Sequence, residues 1–260
     1  YDRPVSKLRP KMPTTATDTS TIFEIASKMA ASRSDAALLL DGEGSLSGIL
    51  TDNDITRRVV SQFINPNETK VDSVMTRNPK CVHAEESALD ALELMVDNRF
   101  RHLPVLDKDG AVVGLLDIAK CLYEAITVLE KVQDKEESGG ASGAAMAEVM
   151  TAAMKSAAGG KGSNAAQLAA MKALMEQMFG GSVPTLRTII DQLGEIPSVT
   201  PSMTVREAAQ VMAQLRKGVL VMDRKGKELV GIFTPKDLLS RVIAKNLSPD
   251  ETLVSAVMTP

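Results

Sequence analysis

Hydrophobic residues recur at two different spacings along the chain, and the two spacings alternate. In three stretches apolar residues return every three or four positions, which predicts amphipathic helices with one face to bury. The apolar positions of these helices are Ile22, Ile25, Ala26 and Met29, then Leu89, Leu92, Met95 and Val96, and then Val205, Ala208, Ala209, Met212 and Leu215. Each predicted helix starts at a Ser or Thr followed by Glu or Asp, which is typical of helix N-caps. The pairs are Thr21 with Glu24, Ser87 with Asp90, and Thr204 with Glu207. We therefore expect three short helices, each capped at its first turn.

Each predicted helix is followed by two strands that enclose a turn of the Asp-x-x-Gly type. The first strands, at 36–40, 102–106 and 218–222, are nearly continuous apolar runs, as expected for strands covered on both faces. The second strands each contain one glycine, at Gly48, Gly114 and Gly231. A short β-prone piece precedes each helix and a second helix follows each hairpin, so the repeating unit is β-α-β-β-α. The predicted fold class is α+β, built from tandem copies of this unit.

The spacing of these glycines indicates a repeat with one interruption. Gly48 and Gly114 lie 66 residues apart, whereas Gly114 and Gly231 lie 117 apart, so about 51 additional residues separate the second and third copies. The predicted boundaries are 1–66 for repeat 1, 67–130 for repeat 2, 131–182 for a linker or helical insert, 183–246 for repeat 3 and 247–260 for the start of a truncated repeat 4. The last segment ends in Val-Met-Thr-Pro, which reads like residues 74–79 just ahead of repeat 2. We therefore expect a fourth copy, and the sequence to be part of a longer protein.

One unit of roughly 60 residues is marginal on its own, because so small a chain buries little apolar surface. The repeats are therefore expected to pack in pairs. Repeats 1 and 2 adjoin in sequence and are the predicted pair. Repeat 3 is expected to pair with the fourth copy or with another chain, which predicts pseudo-twofold symmetry and a homo-oligomer, most simply a dimer.

The insert differs in composition from the repeats: between 138 and 182 it is rich in Ala, Gly and Met. Glycine pairs separate two helix-prone stretches, at about 144–157 and 164–179. The methionines form two stripes at helical spacing, Met146, Met150 and Met154 and then Met171, Met175 and Met178. Three interpretations stay open. The stripes pack on each other or on neighbouring repeats, they form an adaptable surface for a helical protein partner, or part of the insert is disordered.

Composition and charge narrow the class of partner. The chain has 260 residues, 44% of them hydrophobic, and a net charge of −3 without a long basic tract, so nucleic acid is not an expected partner. No apolar stretch approaches the ~20 residues that cross a bilayer, so no membrane association is expected. The two cysteines, Cys81 and Cys121, fit a reducing compartment better than a disulfide framework. These features together predict a globular cytoplasmic protein.

Candidate chemistry lies where the second strand of each hairpin ends. Two of the three copies share the pattern Gly-apolar-apolar-Thr-x-x-Asp-apolar, which contains Thr51 and Asp54 in repeat 1 and Thr234 and Asp237 in repeat 3. These residues open the second helix, where a hydroxyl and free backbone N–H groups can hold an anion. The Asp offers two acceptor oxygens to the paired hydroxyls of a ribose. The same spacing is also that of a capping box, with Pro235 at its favoured first helical position, so capping alone is an open alternative.

These repeats resemble cystathionine-β-synthase (CBS) domains, which pair as Bateman modules and in many proteins bind AMP, ADP, ATP or S-adenosylmethionine. The resemblance covers about residues 5–130 and 183–260. It implies that Thr51, Asp54, Thr234 and Asp237 bind the ligand, and that Arg101 and His102 reach its phosphates. In repeat 2, Asp117 and Lys120 replace the Thr and Asp, so the resemblance does not extend ribose binding to that repeat, although Asp117 can still cap its helix. No cofactor is required, and Mg²⁺ is expected only with ATP.

Two classes of function follow from this resemblance. The first is a regulatory module that binds an adenine nucleotide and changes the pairing of its repeats or the activity of a partner. The second is a ligand-free dimerisation scaffold for a C-terminal interaction domain, since the arrangement also resembles plant and fungal proteins in which two CBS pairs precede a PB1 domain. A protein partner would then bind through that C-terminal region or through the Met-rich insert. An enzyme is not expected, because no metal-ligand spacing, Ser-His-Asp set or P-loop occurs and the chain has two histidines.

Overall fold

The computed structural model describes residues 4–123, 187, 190 and 196–260. These residues form two compact units. The first, here called the repeat-2 unit, contains residues 4–11, 81–109 and 113–123. The second, here called the repeat-1/3 unit, contains residues 12–80, 110–112 and 196–260. The predicted helices of the insert and the end of repeat 2 beyond residue 123 lie outside the described residues.

The described helices and strands follow the predicted order. The strands are β1 (Thr14–Thr17), β2 (Ala36–Leu40), β3 (Leu46–Thr51), β4 (Thr76–Arg77), β5 (Val82–His83), β6 (His102–Leu106), β7 (Val112–Asp117), β8 (Ser198–Val199), β9 (Val219–Met222) and β10 (Leu229–Phe233). The α-helices are α1 (Ile22–Ala31), α2 (Asp52–Asp54), α3 (Ala88–Asp97), α4 (Val205–Leu215), α5 (Pro235–Asp237) and α6 (Val254–Val257), and residues 118–123 are also helical. The mixed α+β fold class is confirmed. No helix among these residues is both long and apolar enough to span a bilayer.

Each repeat has a small sheet in which the central strand of the β-α-β-β unit pairs on both sides. In repeat 1 the order is β1-β2-β3-β4, with β1 parallel to β2 and β3 antiparallel to it. Repeat 3 gives the order β10-β9-β8 and repeat 2 the order β5-β6-β7. A parallel pair needs a crossover connection, and the amphipathic helix supplies it in each repeat.

The first helix of each repeat begins where its capping residues predicted. Thr21 and Thr204 each accept a hydrogen bond from the N–H of a Glu three residues on, and that Glu accepts from the Thr N–H at 2.8 and 2.7 Å. In repeat 2, Ser87 caps α3 by accepting from the N–H of Asp90 at 3.0 Å. The predicted N-caps are therefore confirmed in all three repeats.

A short segment lies across the glycine of every hairpin, and we call these the crossing segments: residues 5–11, 71–77 and 254–259. In repeat 1 the segment adds β4 to the sheet, and a Cβ built on Gly48 would lie 2.4 Å from Met75 Sδ. The equivalent Cβ on Gly114 would lie 2.4 Å from Pro10 Cβ, and that on Gly231 2.7 Å from the Thr259 carbonyl. Only a residue without a side chain lets the segment approach so closely.

The crossing segments do not follow the sequence boundaries of the repeats. Residues 71–77, assigned from the sequence to repeat 2, complete the core of repeat 1 with the buried Val71, Val74 and Met75. Residues 5–11, assigned to repeat 1, lie in the repeat-2 unit, where Val5 and Leu8 are buried. Each hairpin is therefore covered by residues that the repeat pattern attributes to a neighbouring copy.

Repeats 1 and 3 share one hydrophobic core. Helix α1 packs against residues 238–245 of repeat 3, and α4 packs against residues 55–62 of repeat 1. The largest buried side chains of this core include Ile22, Ile25, Met29, Met212 and Phe233. The sequence did not predict this contact, because helical periodicity shows which face is apolar but not which repeat covers it. Pairing of repeat 1 with repeat 2 stays a prediction.

Candidate functional site

The Thr-x-x-Asp turn of repeat 1 joins β3 to α2 in a closed set of hydrogen bonds. Thr51 is the N-cap: its N–H and its hydroxyl both donate to Asp54 Oδ2, at 3.0 and 2.8 Å. In return the Asp54 N–H donates to Thr51 Oγ1 at 3.2 Å. This is the capping box that the sequence offered as an alternative to ligand binding. The box fixes the orientation of both side chains.

Repeat 3 has the same turn with nearly the same dimensions. The Thr234 N–H and hydroxyl donate to Asp237 Oδ2 at 3.0 and 2.7 Å, and the Asp237 N–H donates to Thr234 Oγ1 at 3.3 Å. Pro235 occupies the first helical position, where its missing N–H removes no helical hydrogen bond. The two turns are therefore structurally equivalent although their second residues differ.

Each Asp also faces an arginine one helical turn later. Arg58 Nε lies 3.5 Å from Asp54 Oδ1, and Arg241 Nε lies 3.5 Å from Asp237 Oδ1. The aspartate side chains are largely sheltered, at 13% and 14% exposed, while the arginines are 37% and 43% exposed. In each carboxylate, Oδ2 accepts the hydrogen bonds from the Thr and Oδ1 faces the arginine. Each turn therefore pairs one negative side chain with one positive side chain.

The same arginines reach the crossing segments. Arg58 Nη1 donates to the Val74 carbonyl at 2.8 Å, and Arg241 Nη1 donates to the carbonyls of Val257 and Met258, also at 2.8 Å. Neither arginine is a candidate site residue from the sequence pattern. The available signal was their position four residues after the Asp, a spacing at which oppositely charged side chains meet on a helix.

The helical segment after each turn widens before it ends. Residues Ile55–Val59 and Leu238–Val242 form π-helical turns, and Val60–Gln62 and Ile243–Lys245 then tighten into 3₁₀ turns. A π-helical turn places one extra residue in the turn and occurs often at functional sites. It was not predictable from the sequence, because apolar spacing does not resolve one inserted residue.

The structure brings the two turns together. Helices α2 and α5 belong to the same unit, and their Cα atoms approach within 8 Å of each other. Thr51, Asp54, Thr234 and Asp237 therefore lie in one region of the repeat-1/3 unit.

The other two candidate residues lie in the repeat-2 unit. Arg101 directs Nε and Nη2 to the two carboxylate oxygens of Asp117, at 3.3 Å each, and His102 begins β6 in a half-buried position. Asp117 Oδ1 also accepts from the Ala119 N–H at 3.0 Å, which confirms its predicted capping role. The phosphate-binding roles of Arg101 and His102 stay predictions.

Comparison with known protein families and sequences gives one consistent result. A sequence profile described as the CBS domain matches residues 5–61, 71–125 and 191–244. The Arabidopsis thaliana CBS domain-containing protein CBSCBSPB3 is 42% identical over 259 residues, covering all of this chain and 44% of its own length. The meiotically up-regulated gene 70 protein of Schizosaccharomyces pombe is 31% identical over 263 residues, covering 93% of this chain and 34% of its own. The chain thus spans less than half the length of these relatives.

One solved structure shows the same fold over almost the whole chain. Protein MJ1225 from Methanocaldococcus jannaschii aligns over 99% of this chain and 82% of its own, with a TM-score of 0.59 and 14% sequence identity. The CBS domain protein PAE2072 from Pyrobaculum aerophilum, solved with AMP, aligns over 50% of this chain and 99% of its own, with a TM-score of 0.45 and 26% identity.

Proposed function

Since the chain belongs to the CBS domain family, we propose that it is a regulatory module that binds an adenosine-containing ligand at the Thr-x-x-Asp turns of repeats 1 and 3. One observation carries the proposal: two turns of equivalent geometry, each with a sheltered aspartate, lie within 8 Å in one unit. Two sites for the same nucleotide need the same side chains in the same orientation. The two equivalent turns meet this requirement.

The turn offers a separate contact for each part of a nucleotide. The positive dipole end at the start of the helical segment suits a phosphate, which in repeat 1 would compete with the acceptors that the N–H groups of Asp52, Asn53 and Asp54 already have. The Asp carboxylate accepts the two hydroxyls of a ribose, and its Oδ1 lies 3.5 Å from the arginine Nε. Mg²⁺ enters this proposal only as the companion of ATP.

Regulation requires the ligand to favour one arrangement of the repeats over another. A ligand shifts such a balance only by its difference in affinity for the two arrangements, and no bond of the ligand is broken. In this proposal the ligand leaves chemically unchanged, and the chain regulates a partner rather than acting as an enzyme. Arg58 and Arg241 connect the turns to the crossing segments, and this connection gives the ligand a route to the neighbouring repeat.

A ligand-free dimerisation scaffold is the second candidate, and a specific observation favours it. The hydrogen bonds that the two turns make to backbone N–H groups are those of a capping box, which helix capping alone would need. Thr21 with Glu24 and Thr204 with Glu207 make the same boxes at the starts of α1 and α4, where no ligand is proposed. Self-association through the repeats and a protein partner bound by the C-terminal region or the insert belong to both candidates.

Calorimetric titration of AMP, ADP, ATP with and without Mg²⁺, and S-adenosylmethionine into the 260-residue chain separates the two. We expect saturable binding that the Asp54→Ala/Asp237→Ala variant loses. The matched control is Glu24→Ala/Glu207→Ala, which removes two capping carboxylates of the same kind from other helices. Circular dichroism verifies folding in all three proteins. Absence of binding by the unmodified chain would leave the scaffold as the better account, and equal loss in both variants would assign the effect to capping.

A further inference from the structure

Arg206 contacts both its own side and the opposite side of the interface, and these contacts join repeat 3 to repeat 1. It lies in the first turn of α4, with its side chain only 12% exposed. Its Nη1 donates to the main-chain carbonyl of Val60, at the end of the helical segment of repeat 1, and its guanidinium lies 4.3 Å from the centre of the Phe63 ring. Its other side forms a two-bond ion pair with Asp250, which follows repeat 3 in the sequence.

These contacts suit an arginine for two reasons. The last carbonyls of a helical segment carry the negative end of its dipole, and the Val60 carbonyl, which accepts the Phe63 N–H at 3.3 Å, has a second lone pair that can accept from a cation. The planar guanidinium can also stack on an aromatic ring while it keeps its hydrogen bonds.

Phe63 holds an unusual backbone conformation for this contact. Its φ of 59° is in the left-handed region, which is uncommon for a bulky residue. Repeat 3 places Asn246 at the corresponding position, with φ of 54°, and Asn tolerates this region well. Repeat 1 thus has a ring where backbone preference favours Asn, and that ring lies under Arg206.

The two repeats are therefore not interchangeable at this interface. The position of Arg206 corresponds to Phe23 in repeat 1, and the position of Asp250 corresponds to Asn67. Asn67 Nδ2 donates to Asn246 Oδ1 at 3.0 Å, which is a second contact across the same interface.

We propose that Arg206 and Phe63 are a specificity pair that directs repeat 3 onto repeat 1 and disfavours pairing between two copies of the same repeat. Two copies of repeat 1 would place Phe23 at the Val60 carbonyl, where it offers no donor, and Asn67 opposite a Phe63 ring. Two copies of repeat 3 would place Arg206 beside Asn246, which offers no ring. The partner that this surface fits is thus repeat 1 of the same chain. The inference does not depend on ligand binding.

A cross-linking experiment on the full chain tests this specificity. Asn67→Cys and Asn246→Cys provide a thiol on each repeat, in a Cys81→Ser background because Cys81 is exposed whereas Cys121 is buried. A short bis-maleimide then joins the thiols, and gel mobility separates bridges within one chain from bridges between chains. In this parent protein we expect the bridge within one chain to dominate.

Two variants weaken the pair by different means. Arg206→Phe installs the residue of repeat 1, and Phe63→Asn installs the residue of repeat 3 while relieving its backbone, so that misfolding cannot explain its effect. Each is expected to lower the ratio of intrachain to interchain bridges about threefold, the size of a surface cation–π contact. Arg224→Phe, at the exposed tip of the repeat-3 hairpin, makes the same chemical change away from the interface and should keep the parent ratio. An unchanged ratio in both variants would overturn the proposal, as would an equal fall in the Arg224 control.

Discussion

Arg58 and Val74 are joined by a hydrogen bond of 2.8 Å between residues sixteen positions apart, from the arginine Nη1 to the valine main-chain carbonyl. The same guanidinium faces Asp54, so one side chain contacts both the candidate ligand turn and the crossing segment that follows. Repeat 3 has the equivalent link through Arg241. Each arginine therefore links its Thr-x-x-Asp turn directly to the crossing segment that covers the sheet.

Arg58→Gln is expected to loosen the crossing segment while the capping box of Thr51 and Asp54 is kept. Because Arg58 is more than one-third exposed, the loss should be modest, about 1 kcal/mol or roughly fivefold faster amide exchange in residues 74–77. Hydrogen–deuterium exchange by mass spectrometry measures this directly. Arg57→Gln, on the preceding residue, is the control and should leave exchange in that segment as it was. Equal exchange in the two variants would contradict a specific link through Arg58.

Gly48→Ala should destabilise the repeat-1/3 unit, because its Cβ would lie 2.4 Å from Met75 Sδ and 3.0 Å from the Thr76 carbonyl. Overpacking of this kind costs about 1–3 kcal/mol, since the crossing segment has to move. Gly42→Ala is the matched control, because nothing lies within 4 Å of its Cβ position, and it should change stability by at most about 0.5 kcal/mol. Urea unfolding of both variants gives the two free energies. Similar values would show that the crossing segment yields easily.

Thr51→Val should lower stability by about 1 kcal/mol, because it keeps the shape of the side chain and removes the oxygen that caps the Asp54 N–H. Thr51→Ser keeps that oxygen and should restore most of the loss. Chemical denaturation measures the two variants on the same scale. If the Val variant were as stable as the unmodified chain, the box would contribute nothing to folding, and its geometry would have to be explained by another role.

Acid should weaken the contact between Arg206 and Asp250. The hydrogen bond from Arg206, helped by its charge, holds the pKa of Asp250 below the ordinary value of 3.8. A group with a depressed folded-state pKa stabilises the fold fully above its unfolded pKa and loses that contribution as the pH falls through the folded value. The loss is therefore expected below about pH 4.

A carboxyl NMR titration should thus place the Asp250 midpoint below 3.8 and return it toward that value in Arg206→Phe. Asp223 is the internal control, because N–H groups of its own hairpin turn, led by those of Glu228 and Lys227, lower its pKa without Arg206. If the Asp250 midpoint were the same with and without the Arg206→Phe substitution, Arg206 would not be the cause of the lowered pKa.

Contacts between residues close in sequence could be predicted, whereas contacts between distant residues could not. Thr204 with Glu207 predicted the start of α4, and Thr51 with Asp54 predicted both a helix start and a candidate site, because these hydrogen bonds join residues three positions apart. Arg206 sits on the polar side of the helical pattern, and nothing in its neighbourhood distinguishes it from a solvent-exposed charge. Its function at the interface depends on Phe63, which is far away in sequence.

The crossing segments show the same limit. Strand β4 has two residues, too few to produce an alternating pattern, and it belongs to the sheet of the copy that precedes it. The sequence predicted the hairpin of repeat 1 and its Gly48 but not the chain that passes over that glycine. A boundary drawn from the repeat pattern therefore separates residues that the fold joins.

This arrangement determines what can be exchanged when such genes recombine. The core of repeat 1, at residues 1–66, is completed by Val71, Val74 and Met75, which are encoded after it. A crossover between residues 66 and 67 would therefore give repeat 1 a crossing segment from a different protein. A crossover after Lys80 would transfer the hairpin together with its cover. The segment that must be inherited as one piece therefore extends beyond residue 66 and includes the crossing segment at 71–77.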